Sequence, residues 1–107
     1  MPELADLAIE HDGGEVLARL RGELDMETVD AVRARLSEAI GSATTTLIVD
    51  LSEVTFMDSS GVELLFRLRG ELAVRQMQLR LILAPGALIR RTLEVTDGGS
   101  ELLALAG

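Results

Sequence analysis

Leu47–Leu72, LIVDLSEVTFMDSSGVELLFRLRGEL, is where the chain changes period. It opens on an apolar run, Leu47, Ile48, Val49 and Leu51, with the length and composition of a strand buried on both faces. Phe56 and Met57 follow, then the polar corner Asp58-Ser59-Ser60-Gly61. Beyond the corner the pattern is helical. At about 100° per residue, Val62, Leu65, Phe66, Leu68, Leu72 and Ala73 share one half of the wheel. Glu63, Arg67, Gly70 and Glu71 fall on the other half, with Glu63, Arg67 and Glu71 spaced for i,i+4 pairing. Ser60 and Glu63 also form the S-x-x-E pattern of a capping box. The stretch reads as strand, exposed serine pair, helix N-terminus.

Such a corner has chemical consequences. The first N–H groups of a helix lack intrahelical partners, and the macrodipole places partial positive charge there. A phosphate on a serine at this point is tolerated and adds about 1.5–2 negative charges. The same residues also make an ordinary helix start, and the local pattern leaves both readings open.

Upstream, Leu4 to Glu10 reads as a first strand, and Asp12-Gly13-Gly14 as a tight turn. Val16 to Arg21 alternates, with Val16, Ala18 and Leu20 on one face, and completes an antiparallel hairpin that ends at Gly22-Glu23-Leu24-Asp25. Asp25 is placed as an N-cap, with Glu27 and Asp30 in the first turn of a helix whose apolar face is Val29, Val32, Leu36 and Ile40. Gly41 reads as its stop, and Ser42 to Thr46 as the loop into the next strand.

Downstream, Leu79 to Leu83 forms another apolar strand, and Pro85-Gly86 breaks the chain before a short helix from Ala87 to Leu93. Leu88, Arg91 and Thr92 are too few to fix its buried face. Asp97-Gly98-Gly99 is a loop, and Ser100 is placed to cap a last apolar turn containing Leu102, Leu103 and Leu105. The order β-β-α-β-α-β-α predicts one small α/β domain with a mixed sheet of about four strands and helices packed on it. Three strands run parallel through right-handed crossovers, and the antiparallel first strand covers an edge. The domain is expected to span residues 1–107, with the tail 97–107 least constrained by pattern.

Composition narrows the function classes. A chain of 107 residues, 48% hydrophobic, has the material for a single modest core and is not disordered. No apolar run approaches the roughly 18–20 residues needed to span a bilayer, and no basic-then-apolar leader opens the sequence. A cytoplasmic chain without a membrane partner is expected. With 18 Asp+Glu against 10 Lys+Arg, the formal charge of −8 repels phosphate backbones. Phe56 and Phe66 are the only aromatic residues besides His11, so stacking platforms for bases are missing too. Direct nucleic-acid binding is not expected; a protein partner with a basic face is. The chain has no cysteine, hence no disulfide or thiolate chemistry.

The residues make no convincing enzyme. A nucleophilic serine needs a base within hydrogen-bond reach, and the sole histidine, His11, reads as an exposed residue beside a glycine turn. The corner Asp58-Ser59-Ser60-Gly61 is not a G-x-S-x-G elbow, and no P-loop, dinucleotide fingerprint or H-E-x-x-H is present. No metal or cofactor is expected. Asp25 and Asp58 each stand where a strand ends and a helix begins, at carboxyl ends of neighbouring parallel strands where α/β sites form. They are either an acid pair facing one partner beside an exposed serine or two ordinary N-caps.

Gly22-Glu23-Leu24-Asp25, an apolar strand ending in Asp50-Leu51, and Phe56-Met57-Asp58-Ser59-Ser60-Gly61, at these separations, resemble the STAS domain over about Leu4 to Glu94. More closely they resemble the stand-alone bacterial anti-sigma factor antagonists. The resemblance implies that Ser59 is phosphorylated by an anti-sigma factor that is also a serine kinase. It implies that the unmodified protein binds that factor and frees the sigma factor, that phosphorylation weakens the binding, and that a serine phosphatase restores it. Asp58 would position the hydroxyl, Asp25 would belong to the same contact surface, and Ser60-Gly61 would start the helix. Glu63 departs from the small residue common in the family and places a carboxylate one turn from Ser59. The alternative is a STAS scaffold or regulatory subunit of a stress-signalling or lipid-transport complex.

Overall fold

The computed structural model describes residues 5–106. In chain order they form β1 (Asp6–Asp12), β2 (Glu15–Leu24), α1 (Val29–Ala39), β3 (Thr46–Met57), α2 (Ser59–Val74), β4 (Gln78–Ile82), α3 (Leu88–Val95) and α4 (Gly99–Ala104). The sheet runs β1-β2-β3-β4, with β1 antiparallel to β2 and the pairs β2–β3 and β3–β4 parallel. This is the expected mixed four-stranded sheet with an antiparallel edge. The first strand lies two residues later than the reading from Leu4, and Leu4 itself is outside the described residues.

Period-two alternation sorts the sheet into two faces. Ile9, Ala18, Val49 and Leu81 lie in one row, with Val16, Leu47 and Leu79 in the next. These side chains join Val32 and Leu36 of α1, Leu64, Leu65, Leu68 and Leu72 of α2, Ile89 and Leu93 of α3, and Leu102 of α4 in one core. Each fully buried leucine of this set contributes roughly 1.5–3 kcal/mol relative to leaving it in water.

The opposite face carries the rows Ala8, Arg19, Asp50, Ile82 and Glu10, Leu17, Ile48, Arg80, all half-buried or exposed. Helices therefore cover one face only. The expectation that β3 is buried on both faces is corrected here: Leu47 and Val49 are buried, but Ile48 is half-buried on the uncovered side.

Helix ends supply further corrections. Helix α1 starts at Val29 after Thr28, so Asp25 caps the turn before the helix and not the helix itself. It ends at Ala39, and Ile40 is already extended, so Gly41 does not stop it in a left-handed conformation. In α2, Ala73 is exposed although the wheel sets it on the apolar half, and Leu64, which the wheel reading leaves unplaced, is buried. Glu71 pairs with Arg33 of α1 at 2.9 Å, so the i,i+4 ladder through Arg67 gives way to an inter-helix contact. Helix α3 is shifted to Leu88–Val95 and buries Ile89 and Leu93. Gly98, not Ser100, precedes α4, whose Leu102 is buried. The tail also closes the sheet, because the Leu105 carbonyl accepts the Leu81 amide (3.2 Å) on the outer side of β4.

Candidate functional site

The site is built where β2 and β3 end. Pairing of these strands shifts register between Arg19 and Arg21 and again between Gly22 and Glu23. Gly22 takes φ +97°, a conformation that costs glycine nothing and other residues dearly. The irregularity brings Glu23 opposite Phe56 and Leu24 opposite Met57. Asp25 and Asp58 are therefore the next residues of two adjacent parallel strands, and the Asp58 amide donates to the Leu24 carbonyl (3.4 Å).

The two aspartates do the same local work. Asp25 Oδ1 accepts the amides of Glu27 (2.9 Å) and Thr28 (3.2 Å). Asp58 Oδ1 accepts those of Ser60 (2.8 Å) and Gly61 (3.4 Å) and is the N-cap of α2. The expected Ser60–Glu63 capping box is replaced by this bond, since Ser60 already lies inside the helix. Asp58 wins the cap because it leaves β3 with extended backbone, which points its carboxylate back at the free amides.

Ser59 is the first residue of α2 and is exposed; Ser60 is half-buried and Gly61 buried. A Cβ at Gly61 would lie 2.9 Å from the Leu24 carbonyl oxygen and 2.6 Å from Met57 Cγ, so only glycine lets α2 start this close to β2. Glu63 is exposed one turn on and borders, with Asp30, Arg33, Ser60 and Arg67, a polar cleft of about 170 Å³ between α1 and α2. The structure thus brings Asp25, Asp58, Ser59, Ser60, Gly61 and Glu63 to one end of the molecule.

Thr28 is a site residue that sequence reasoning missed. It is 5% exposed, the only buried polar side chain among the described residues. Its Oγ1 donates to the Glu23 carbonyl (2.9 Å) and accepts the Asp25 amide (3.0 Å), locking the loop that presents Asp25. A threonine three residues after an aspartate and just before an apolar period is the signal by which it could have been found.

His11 is exposed and pairs with Val16 near the start of β2. At ~3.3 Å per residue, that is on the order of 26 Å from the strand end that borders Ser59, so no imidazole serves this hydroxyl. Among the described residues no group of three or more His, Asp or Glu side chains is arranged to hold a metal ion, and no helix is long and apolar enough to cross a membrane.

Comparison with known proteins agrees with this geometry. The STAS domain family model matches residues 6–100. An anti-sigma F factor antagonist of Lysinibacillus sphaericus is 40% identical over 90 residues, covering 82% of this chain and 75% of its own. The anti-sigma factor antagonist SpoIIAA in its unphosphorylated form superposes with a TM-score of 0.75 at 31% identity, over 95% of this chain and 86% of its own. The Bacillus cell-fate determinant SpoIIAA in its phosphorylated form gives 0.71 at 32% identity, over 95% of this chain and 89% of its own. With the bulged Gly22, the paired Asp25 and Asp58 corners and the exposed Ser59 in one fold, the chain belongs to the STAS domain family, within its anti-sigma factor antagonists, which are regulators and not enzymes.

Proposed function

We propose that this antagonist is switched at Ser59. In its unmodified form it binds an anti-sigma factor that is a serine kinase and so releases a sigma factor. Phosphate on Ser59 turns that binding off, and a serine phosphatase turns it on again. The observation that carries the reading is the exposure of Ser59 on the first turn of α2, beside the two aspartate-capped corners. Existence of a relative in phosphorylated and unphosphorylated forms supports it.

The roles follow from the contacts. Asp58 holds the Ser60 and Gly61 amides, which fixes the backbone on which the Ser59 hydroxyl is offered. Asp25, held against its own turn, supplies a neighbouring part of the contact surface. Ser60 and Gly61 seat the helix start against β2. New phosphate charge then meets Asp25, Asp58 and Glu63, and its desolvation under a partner is costly. About 1.4 kcal/mol changes affinity tenfold, which like-charge repulsion at an interface readily supplies.

The test is incubation with purified serine-kinase anti-sigma factors and ATP, followed by mass-spectrometric mapping. Phosphate confined to Ser59 and abolished in Ser59→Ala is the expected result. Modification elsewhere, with Ser59 untouched, defeats the assignment.

A further inference from the structure

We infer that Met26 and Phe56 are the apolar anchors of the surface around Ser59, and that they seat in an apolar recess rimmed by Arg or Lys on the kinase partner. This rests on the reading of Ser59 as the switch of a protein-binding surface.

The chain hides its large apolar side chains well at this end: Leu24 is fully buried and Met57 is 3% exposed. Their sequence neighbours are not hidden. Met26 is 74% exposed and Phe56 48% exposed. Single exposed apolar residues are ordinary, and Val74 at the far end of α2 is one. Met26 and Phe56 are different because the register of β2 against β3 puts them at the same sheet end. Glu23 faces Phe56, Leu24 faces Met57, and Met26 lies two residues beyond Leu24. Met26 directly follows Asp25 and Phe56 stands two residues before Asp58, so each apolar side chain adjoins one of the two aspartate corners at the sheet end that offers Ser59.

The loop that displays Met26 is already ordered. Asp25 Oδ1 accepts the two amides that follow Met26, those of Glu27 and Thr28, and Thr28 Oγ1 ties Asp25 to Glu23. Association therefore loses little loop entropy, and most of what a buried methionine and phenylalanine offer is retained in binding. Met is also the apolar side chain best able to adapt to an irregular recess. The charge around the pair fixes the chemistry of its occupant: Glu23, Asp25, Glu27 and Asp58 are all acidic. An apolar centre with an acidic rim fits an apolar recess with a basic rim. The arrangement also separates two jobs. Met26 and Phe56 hold the partner, while Ser59, three residues beyond Phe56 on the first turn of α2, decides whether it stays.

The experiment is calorimetric titration of a serine-kinase anti-sigma factor that binds the wild-type chain, using Met26→Ser, Phe56→Ser, Met26→Leu, Phe56→Leu and Val74→Ser, each with a thermal melt. Loss of about tenfold or more in affinity for each serine variant, with the leucine variants near wild type and Val74→Ser unchanged, is expected for anchors. Serine variants that bind as tightly as wild type overturn the inference and leave the Ser59 switch standing. So does a serine variant that alters self-association in sedimentation while its kinase affinity is unchanged, since the patch then serves a second copy of the chain. A Ser59 phosphate with no effect on binding defeats the switch itself, a separable failure read in the same titration.

Discussion

Gly61 lies against the main-chain carbonyl of Leu24, so close that a Cβ at Gly61 would come within 2.9 Å of that oxygen. This approach joins the first turn of α2 to the last residue of β2 and thereby sets Ser59 beside the Asp25 corner. Replacing Gly61 by alanine forces the helix start to move, because the carbonyl is backbone and cannot swing aside. Gly61→Ala is expected to destabilise by about 1–3 kcal/mol, the range for overpacked sites. Urea unfolding monitored by circular dichroism checks the value, and a change under 0.5 kcal/mol, below that range, would show that the helix start yields freely.

Asp58 has two separable duties, cap and charge. Asp58→Ala removes the acceptor for Ser60 and Gly61 and should cost about 1 kcal/mol. Asp58→Asn keeps a cap oxygen and should restore most of that stability. Paired melts of the two variants decide whether the carboxylate is needed for folding or only its geometry.

Thr28→Val is nearly isosteric, yet it leaves the Asp25 amide and the Glu23 carbonyl without their side-chain partner. The expected loss is about 1–3 kcal/mol, the cost of orphaned buried polar groups. Thr28→Ser keeps the hydroxyl and should lose clearly less. Equal losses in chemical denaturation would mean that the methyl group, and not the hydroxyl, matters.

Much of this was legible in the chain and some was not. Strand order and the parallel run could be read because the pattern changes from period two to period 3.6 at Asp58, and hairpin and crossover lengths leave few topologies. Asp25 was correctly placed at a strand end but assigned to the helix, because an aspartate that caps a preceding turn has the same sequence signature as a helix N-cap. Ile48 sits in an unbroken apolar run, and nothing local says that helices cover only one side of it. The pairing of Glu71 with Arg33 instead of Arg67 depends on where α1 lies, which a helical wheel does not contain.

Glu63 places a carboxylate on the first turns of α2, beside the cleft that also holds Arg33 and Arg67. On the proposed switching at Ser59, this carboxylate would repel an approaching phosphoryl donor. Glu63→Ala should raise the initial rate of Ser59 phosphorylation several-fold at low salt. The gain should shrink as the screening length falls towards about 8 Å at physiological ionic strength. Initial rates at two salt concentrations test this, and a rate unaffected by the substitution would remove Glu63 from the account.

The central claim is that charge at one hydroxyl sets affinity for the partner. It is tested most directly by titrating a serine-kinase anti-sigma factor with this protein unmodified and then stoichiometrically phosphorylated at Ser59. The account predicts at least a tenfold weaker dissociation constant for the phosphorylated form, with an unchanged circular dichroism spectrum. Equal affinity of the two forms for the same partner would contradict it.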